Sequence, residues 1–176
     1  MNAVTVIGLG AMGVTLANLF KGQGRAVTVW NRSPAKAAAL DGVALAPDAA
    51  AAVRASPLIV MCVYDYAAVR EILAQPGVAE AIAGKTLVQF TTGSPADARE
   101  AAAWSAAHGA AYLDGAIQAA PSQMGKPDTP ILISGDQAAL RQWQEVLADL
   151  GGHYANLGDC PETLQLHCHG TKEHCQ

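Results

Sequence analysis

Three glycines near the start of the chain have the spacing that phosphate binding requires: Gly8, Gly10 and Gly13. The β-branched residues 4–7 before them predict a buried strand, and the pattern after them predicts a helix. In this context the first glycine allows a tight turn, the second lets a pyrophosphate approach the backbone, and the third lets helix and strand pack closely. The alternative is an ordinary tight turn that binds no ligand. The whole turn is therefore expected to contact a dinucleotide: Gly8, Leu9, Gly10, Ala11, Met12 and Gly13.

Polar residues follow the second predicted strand, residues 26–30, where a dinucleotide site selects its cofactor. NAD-binding proteins place a carboxylate here for the ribose 2′-hydroxyl, whereas this chain has the neutral Asn31. Arg32 offers a bidentate fork for a phosphate, Lys36 adds charge, and Ser33 can cap the next helix. The segment therefore predicts NADP(H) as the cofactor, with its adenosine 2′-phosphate held by Asn31, Arg32, Ser33 and Lys36. The alternative is a solvated, capped helix start with incidental basic residues.

Further candidates follow the fourth and fifth predicted strands, because open α/β sheets bind ligands beyond the carboxyl ends of their strands. Cys62, Val63 and Tyr64 stand at the end of the apolar run 58–63, and Thr92 follows the strand at 86–90. These residues are expected to flank the nicotinamide ribose or ring. Ser94, before a proline, either caps the next helix or faces the substrate.

Strand and helix patterns alternate along the chain, which predicts an α/β fold with a doubly wound, mostly parallel, Rossmann-type sheet and helices on both faces. The predicted strands are residues 4–7, 26–30, 43–45, 58–63, 86–90, 111–114, 130–135 and 153–156. The predicted helices are residues 11–20, 35–40, 47–55, a segment through 69–73, and residues 95–108 and 136–150, with a turn or short helix at 79–82 and a loop at 115–125.

Composition narrows the class of protein. Apolar residues make up 51% of the 176 residues and charged residues 15%, which is typical of a folded chain with a sizeable core. The net charge of −4 and the lack of a basic run argue against a nucleic-acid partner. No apolar run has the length of a membrane span, and no signal-peptide pattern opens the chain. We therefore expect no membrane association and a cytoplasmic location.

Several motifs together resemble the N-terminal domain of NADPH-dependent imine reductases, in the 6-phosphogluconate/β-hydroxyacid dehydrogenase superfamily. They are residues 8–13 (GLGAMG), 30–37 (WNRSPAKA), 91–95 (TTGSP), 113–117 (LDGAI) and 157–159 (LGD). The resemblance implies an NADP-binding Rossmann domain at 1–158, followed by an interdomain helix and a helical domain that forms a homodimer. It implies hydride transfer from NADPH to the carbon of a small-molecule imine, or of a carbonyl. A 3-hydroxyacid dehydrogenase is a second alternative, although residues 116–118 (AIQ) stand where that branch has Ser-Gly-Gly.

The last residues depart from the family pattern. Residues 158–161 (GDCP) keep it, but Glu162 replaces a glycine, and the proton-donor position falls on Cys168. We expect residues 159–176 to be a disordered, divergent remnant of the interdomain helix, with the dimer-forming domain absent. The chain would then be an NADP-binding module without activity, and its catalytic residues are not identified. A metal site is the weaker alternative, because the tail lacks zinc-ligand spacing. Its potential ligands are Cys160, His167, Cys168, His169, His174 and Cys175.

Overall fold

Eight strands form one sheet in the part of the chain that the structure, a computed structural model, describes: residues 3–151, 153–156 and 158. The strand order is β3-β2-β1-β4-β5-β6-β7-β8, and all neighbours are parallel except β6 and β7. The strands are β1 (Ala3–Ile7), β2 (Ala26–Trp30), β3 (Ala44–Leu45), β4 (Leu58–Met61), β5 (Thr86–Gln89), β6 (Ala111–Ile117), β7 (Pro130–Gly135) and β8 (His153–Asn156). This arrangement confirms the predicted doubly wound, mostly parallel sheet.

Helices cover both faces of the sheet. The α-helices are α1 (Ala11–Gly22), α2 (Ala49–Ala55), α3 (Tyr66–Leu73), α4 (Val78–Ala81), α5 (Pro95–Ala107) and α6 (Gln137–Leu147). Short 3₁₀ turns span Pro34–Ala39, Pro121–Gln123 and Ala148–Leu150. Buried residues of α1 and α6 pack with one face of the strands, and those of α2 to α5 pack with the other. The sheet is therefore the middle layer of three, which explains why the residues of the central strand β4 are all apolar and buried.

No helix among the described residues is long and apolar enough to cross a bilayer.

Beyond shifts of a few residues at element ends, three elements differ from the sequence prediction. The fourth strand ends at Met61, not at residue 63, so Cys62 and Val63 begin the loop beyond the sheet edge. The predicted helix at 35–40 is a 3₁₀ turn, Pro34–Ala39. The sixth strand runs on to Ile117, so the first three residues of the predicted loop at 115–125 belong to the strand. Its extra residues pair antiparallel with β7, and this partner lies too far along the chain for a local pattern to reveal. The predicted tail, residues 159–176, lies outside the described residues.

Candidate functional site

The order of the strands creates a cleft where the sheet changes its winding direction. β1 lies between β2 and β4, and the chain leaves β1 for α1 on one face and leaves β4 for α3 on the other. Beyond the carboxyl ends of these three strands lies a cleft of about 440 Å³. Ligands of open α/β sheets bind at such switch points, and this volume suits a small-molecule cofactor site.

The glycine turn forms the floor of the cleft, and each of its glycines has a different reason to lack a side chain. Gly8 has a φ of 98°, and a Cβ there would overlap the carbonyl oxygen of Cys62. A Cβ at Gly13 would overlap the carbonyl oxygen of Gly8. At Gly10 a Cβ would meet nothing within 4 Å, although this residue lines the cleft. The first and third glycines thus allow close packing, and the second leaves open space on the cleft side.

Helix α1 begins at this turn with its N-terminus uncovered. Gly10 is the N-cap, no side chain caps the helix, and its first turn contains no acidic residue. The first N–H groups of a helix have no acceptor within it, and the helix dipole makes this end positive. The open space at Gly10 and the uncapped helix end together fit the pyrophosphate of a dinucleotide.

Asn31 braces the turn from the end of β2. Its Oδ1 accepts a hydrogen bond from the Leu9 N–H at 3.0 Å, and its Nδ2 donates to the Ser33 carbonyl at 3.0 Å. The Gly8 N–H also donates to the Trp30 carbonyl at 2.9 Å. Both polar atoms of the Asn31 amide are therefore engaged with the backbone. The sequence suggested a phosphate contact at this position, and the structure adds a bracing role.

Arg32, Ser33 and Lys36 form the exposed rim of the cleft. Arg32 Nη1 lies 3.2 Å from Glu71 Oε2, across the cleft on α3. Ser33 precedes the 3₁₀ turn Pro34–Ala39, but its hydroxyl accepts no capping hydrogen bond. The predicted cap is therefore wrong, and the segment after Ser33 is a 3₁₀ turn and not an α-helix. The structure thus gathers two cations and a hydroxyl that caps no helix beyond the carboxyl end of β2.

The other wall begins where β4 ends. Cys62, Val63 and Tyr64 all line the cleft, and Tyr64 is 95% exposed. The Val63 N–H donates to the hydroxyl of Thr91 at 3.0 Å, which fixes this loop to the end of β5. Burial raises the pKa of the Cys62 thiol to about 11, so this thiol is neutral near neutral pH and is a poor nucleophile.

Of the predicted cofactor contacts, Thr92 alone does not line the cleft; it is exposed in the loop between β5 and α5. Nearby, Ser94 accepts a hydrogen bond from the Asp97 N–H at 3.2 Å, and the Asp97 carboxylate accepts one from the Ser94 N–H at 2.9 Å. This reciprocal arrangement is a capping box. Of the two interpretations of Ser94, the structure confirms the helix cap.

Sequence reasoning missed one wall of the cleft. Four of its residues, Ala68, Glu71, Ile72 and Gln75, lie on or just after α3, and Trp30 at the end of β2 was missed as well. The four residues at α3 have the spacing i, i+3, i+4 and i+7, which places them along one side of a helix. This periodicity is visible in the sequence, but it marks a cleft wall only once the position of α3 beside the switch point is known.

A buried polar cluster joins the first residue of α3 to β6. The hydroxyls of Tyr66 and Tyr112 lie 3.2 Å apart, and Tyr112 donates to the carboxylate of Asp114 at 3.3 Å. Burial raises the pKa of both phenols well above their usual range, and the Asp114 charge adds to this. Both phenols are therefore neutral and serve as hydrogen-bonding groups of the core.

No group of three or more His, Cys, Asp or Glu side chains among the described residues could hold a metal ion. The tail residues weighed as metal ligands lie outside the described range, and so does Cys168, the position to which the family's proton donor aligns.

Comparisons with known proteins agree with this geometry. An NADPH-dependent reductive aminase from Aspergillus oryzae is 35% identical over 166 residues, which cover 93% of this chain and 56% of that protein. An imine reductase from Myxococcus stipitatus, solved in complex with NADP+, superposes with a TM-score of 0.92 at 39% identity, covering 96% of this chain and 59% of its own. A reductive aminase from Aspergillus terreus, solved with NADPH4, cyclohexanone and allyl amine, superposes with a TM-score of 0.86 at 42% identity. The match covers 94% of this chain and 58% of the aminase chain. These similarities confirm the resemblance predicted from the motifs.

The chain spans about half the length of the curated relatives it matches. The family described as the NAD binding domain of 6-phosphogluconate dehydrogenase matches residues 3–158. Because this match covers almost all of the sequence, the chain belongs to that family of NAD-binding domains.

Proposed function

We propose that this chain binds NADP(H) and is the nucleotide-binding part of an oxidoreductase that reduces the carbon of a C=N or C=O bond. The observation that carries the proposal is the cleft itself. A glycine turn, an uncapped helix end and the exposed cations Arg32 and Lys36 surround one cavity, and the neutral Asn31 stands where NAD-binding proteins have a carboxylate. The similarity to NADPH-dependent reductive aminases and imine reductases supports the reaction class.

Each part of the cleft has a distinct task in this proposal. The backbone N–H groups of Ala11 and Met12 bind the pyrophosphate, with Gly10 leaving room for its approach. Arg32 and Lys36 bind the 2′-phosphate of the adenosine, helped by the Ser33 hydroxyl. The loop after β4 (Cys62, Val63 and Tyr64) forms the wall toward the nicotinamide end, and Thr92 remains a predicted contact there.

When bound, NADPH supplies the hydride that reduces the acceptor carbon. The chain's own contribution is to hold the cofactor by its phosphates and to fix one wall of the site through the Thr91 hydroxyl. Orientation of this kind contributes much of the rate in enzymes that transfer a group between two bound molecules. The small-molecule substrate, the homodimer of the family and the cytoplasmic location are part of the same proposal.

Cofactor binding without turnover is the second candidate function for the 176-residue polypeptide. It is favoured by coverage, because the matched segment is 56% of the reductive aminase, and the rest of that protein has no counterpart in these residues. NADPH consumption with a cyclic imine distinguishes the two functions. A rate well above background would support the first, and tight cofactor binding without turnover would support the second.

The experiment that tests cofactor binding is a fluorescence titration of the protein with NADPH and with NADH. We expect NADPH to bind more tightly, and Arg32→Ala to weaken NADPH binding about 10-fold. That value is the low end for a charge-assisted hydrogen bond, because the Arg32 side chain is largely exposed. NADH binding should change less than about twofold, since that cofactor lacks the phosphate.

Arg141→Ala is the matched control, because it removes one exposed positive charge from α6, away from the cleft. It should leave both affinities unchanged. Equal affinity of the unaltered chain for NADPH and NADH would contradict the assignment of the rim to the 2′-phosphate.

A further inference from the structure

The cleft has one carboxylate among its described lining residues, and it lies opposite the proposed phosphate site. Glu71 belongs to α3, and Arg32 follows β2, so the two side chains approach from opposite walls. Their charged atoms, Arg32 Nη1 and Glu71 Oε2, lie 3.2 Å apart. Among the described residues, each is the other's only ion-pair partner. The pair therefore spans the cleft at the rim where the 2′-phosphate is proposed to bind.

We infer that Glu71 lowers the preference of this site for NADPH over NADH by competing with the 2′-phosphate for Arg32. The inference rests on the proposed function, and it assigns a residue that sets cofactor selectivity. A phosphate that takes the guanidinium either displaces the carboxylate or shares Arg32 with it. Both outcomes weaken phosphate binding, because the first breaks an ion pair and the second places two anions side by side.

Exposure decides how large the competition is. The side chains of Arg32 and Glu71 are 85% and 66% exposed, so water and salt screen their attraction. A pair of this kind holds its partners weakly. Glu71 therefore modulates binding and does not block it, and the 2′-phosphate, with two negative charges, is the stronger partner of the arginine.

The neighbouring cation does not relieve this competition. Arg70, adjacent to Glu71 on α3, lies 3.0 Å from Asp97 and 3.1 Å from Glu100, both on α5. Its guanidinium is thus engaged on the side of α3 that faces α5. Among the described lining residues, Lys36 is the other cation, and it belongs to the same rim as Arg32. The charge of Glu71 therefore acts on the binding site for the 2′-phosphate and not on a separate ion-pair network.

NADH should respond differently to the same carboxylate. Its adenosine ribose carries a neutral 2′-hydroxyl, which does not compete for the guanidinium and is not repelled by a carboxylate. Removing the charge of Glu71 should thus strengthen NADPH binding selectively. Exposed ion pairs typically change an equilibrium by roughly two- to fivefold, which sets the expected size of the effect.

The test is Glu71→Gln, compared with the unaltered chain in titrations with NADPH and NADH. We expect NADPH to bind roughly two- to fivefold more tightly, and NADH binding to change less than about twofold. Adenosine 2′,5′-bisphosphate should show the same gain and AMP should not, since they differ only in the 2′-phosphate. The gain should shrink as salt is raised, because both side chains are exposed.

Glu145→Gln is the matched control, since it removes one exposed carboxylate from α6 and lies outside the cleft. A gain of the same size in that variant would mean that net charge and not the Arg32 pair is responsible, and would overturn the inference. An unchanged or lower NADPH affinity in Glu71→Gln would also overturn it; a decrease would mean that Glu71 positions Arg32 for the phosphate. Failure of the proposed function gives another result, namely no preference of the unaltered chain for NADPH.

Discussion

Two glycines of the same turn should respond in opposite ways to the addition of a single methyl group. Gly10 has φ −73° and ψ −177°, a backbone conformation that alanine adopts freely, and a Cβ there meets nothing within 4 Å. Gly13 lies inside α1, where a Cβ would overlap the carbonyl oxygen of Gly8. Gly10→Ala should therefore impair the ligand site and spare the fold, and Gly13→Ala should impair the fold itself.

The structure sets the expected magnitudes. Gly10→Ala should change the free energy of unfolding by less than about 1 kcal/mol, because the gain of about 0.4–1 kcal/mol from restricting the unfolded chain is offset by the poorer fit of alanine at the N-cap of α1. Gly13→Ala gains about 1 kcal/mol of helix propensity. This gain is outweighed because the clash is with backbone, and overpacking of this kind costs typically 1–3 kcal/mol and occasionally more. Since the backbone oxygen of Gly8 cannot rotate away, we expect a net loss of about 2 kcal/mol.

Urea unfolding and NADPH titration separate the two effects. Gly10→Ala should unfold at nearly the same urea concentration as the unaltered chain and bind NADPH at least about tenfold more weakly, since the methyl group occupies the approach of the pyrophosphate. The reasoning would be refuted if Gly10→Ala bound NADPH as tightly as the unaltered chain. It would also be refuted if Gly13→Ala were as stable as the unaltered chain, because the overlap with Gly8 would then be relieved without cost.

Two other substitutions test the supports of the site. Thr91→Val removes the hydroxyl that accepts the hydrogen bond of the Val63 N–H. We expect the free energy of unfolding, measured in urea, to fall by about 1 kcal/mol and NADPH to bind more weakly. No change in either quantity would show that this hydrogen bond does not hold the wall of the cleft. The Ser94 hydroxyl and N–H lower the pKa of Asp97, so its stabilising effect is present above about pH 4 and is lost as the pH falls through the folded-state pKa. Asp97→Asn should flatten that part of the urea stability profile, and an unchanged profile would contradict this role.

The parts of the site that sequence predicted correctly are those encoded by adjacent residues. Strand, glycine turn and helix follow one another within residues 3–22, and the rim from Asn31 to Lys36 directly follows β2. Local patterns of this kind depend on backbone conformation and on which residue ends a strand, and both can be read from neighbouring positions. The cleft that the structure shows contains all of the predicted cofactor contacts except Thr92.

The parts that sequence did not predict depend on residues far apart in the chain. The last residues of β6 count as a strand only because β7 pairs with them, and Gly115 had suggested a loop. In the fold this glycine serves packing, since a Cβ there would overlap the ring of Phe90. Likewise, Glu71 looks like an ordinary exposed helix residue until α3 is placed opposite Arg32. Such roles arise from tertiary contacts, which the spacing of apolar and polar residues within one segment does not encode.

The cleft separates what maintains the fold from what selects the cofactor. Gly8 and Gly13 are required by backbone packing, so substitutions there destabilise the domain before they alter its ligand. The rim residues Arg32 and Glu71 are exposed and support no core contact, so they can change at little cost in stability. We therefore expect the preference between NADPH and NADH to be adjustable at this rim without loss of the fold, whereas the ability to bind either cofactor depends on the turn.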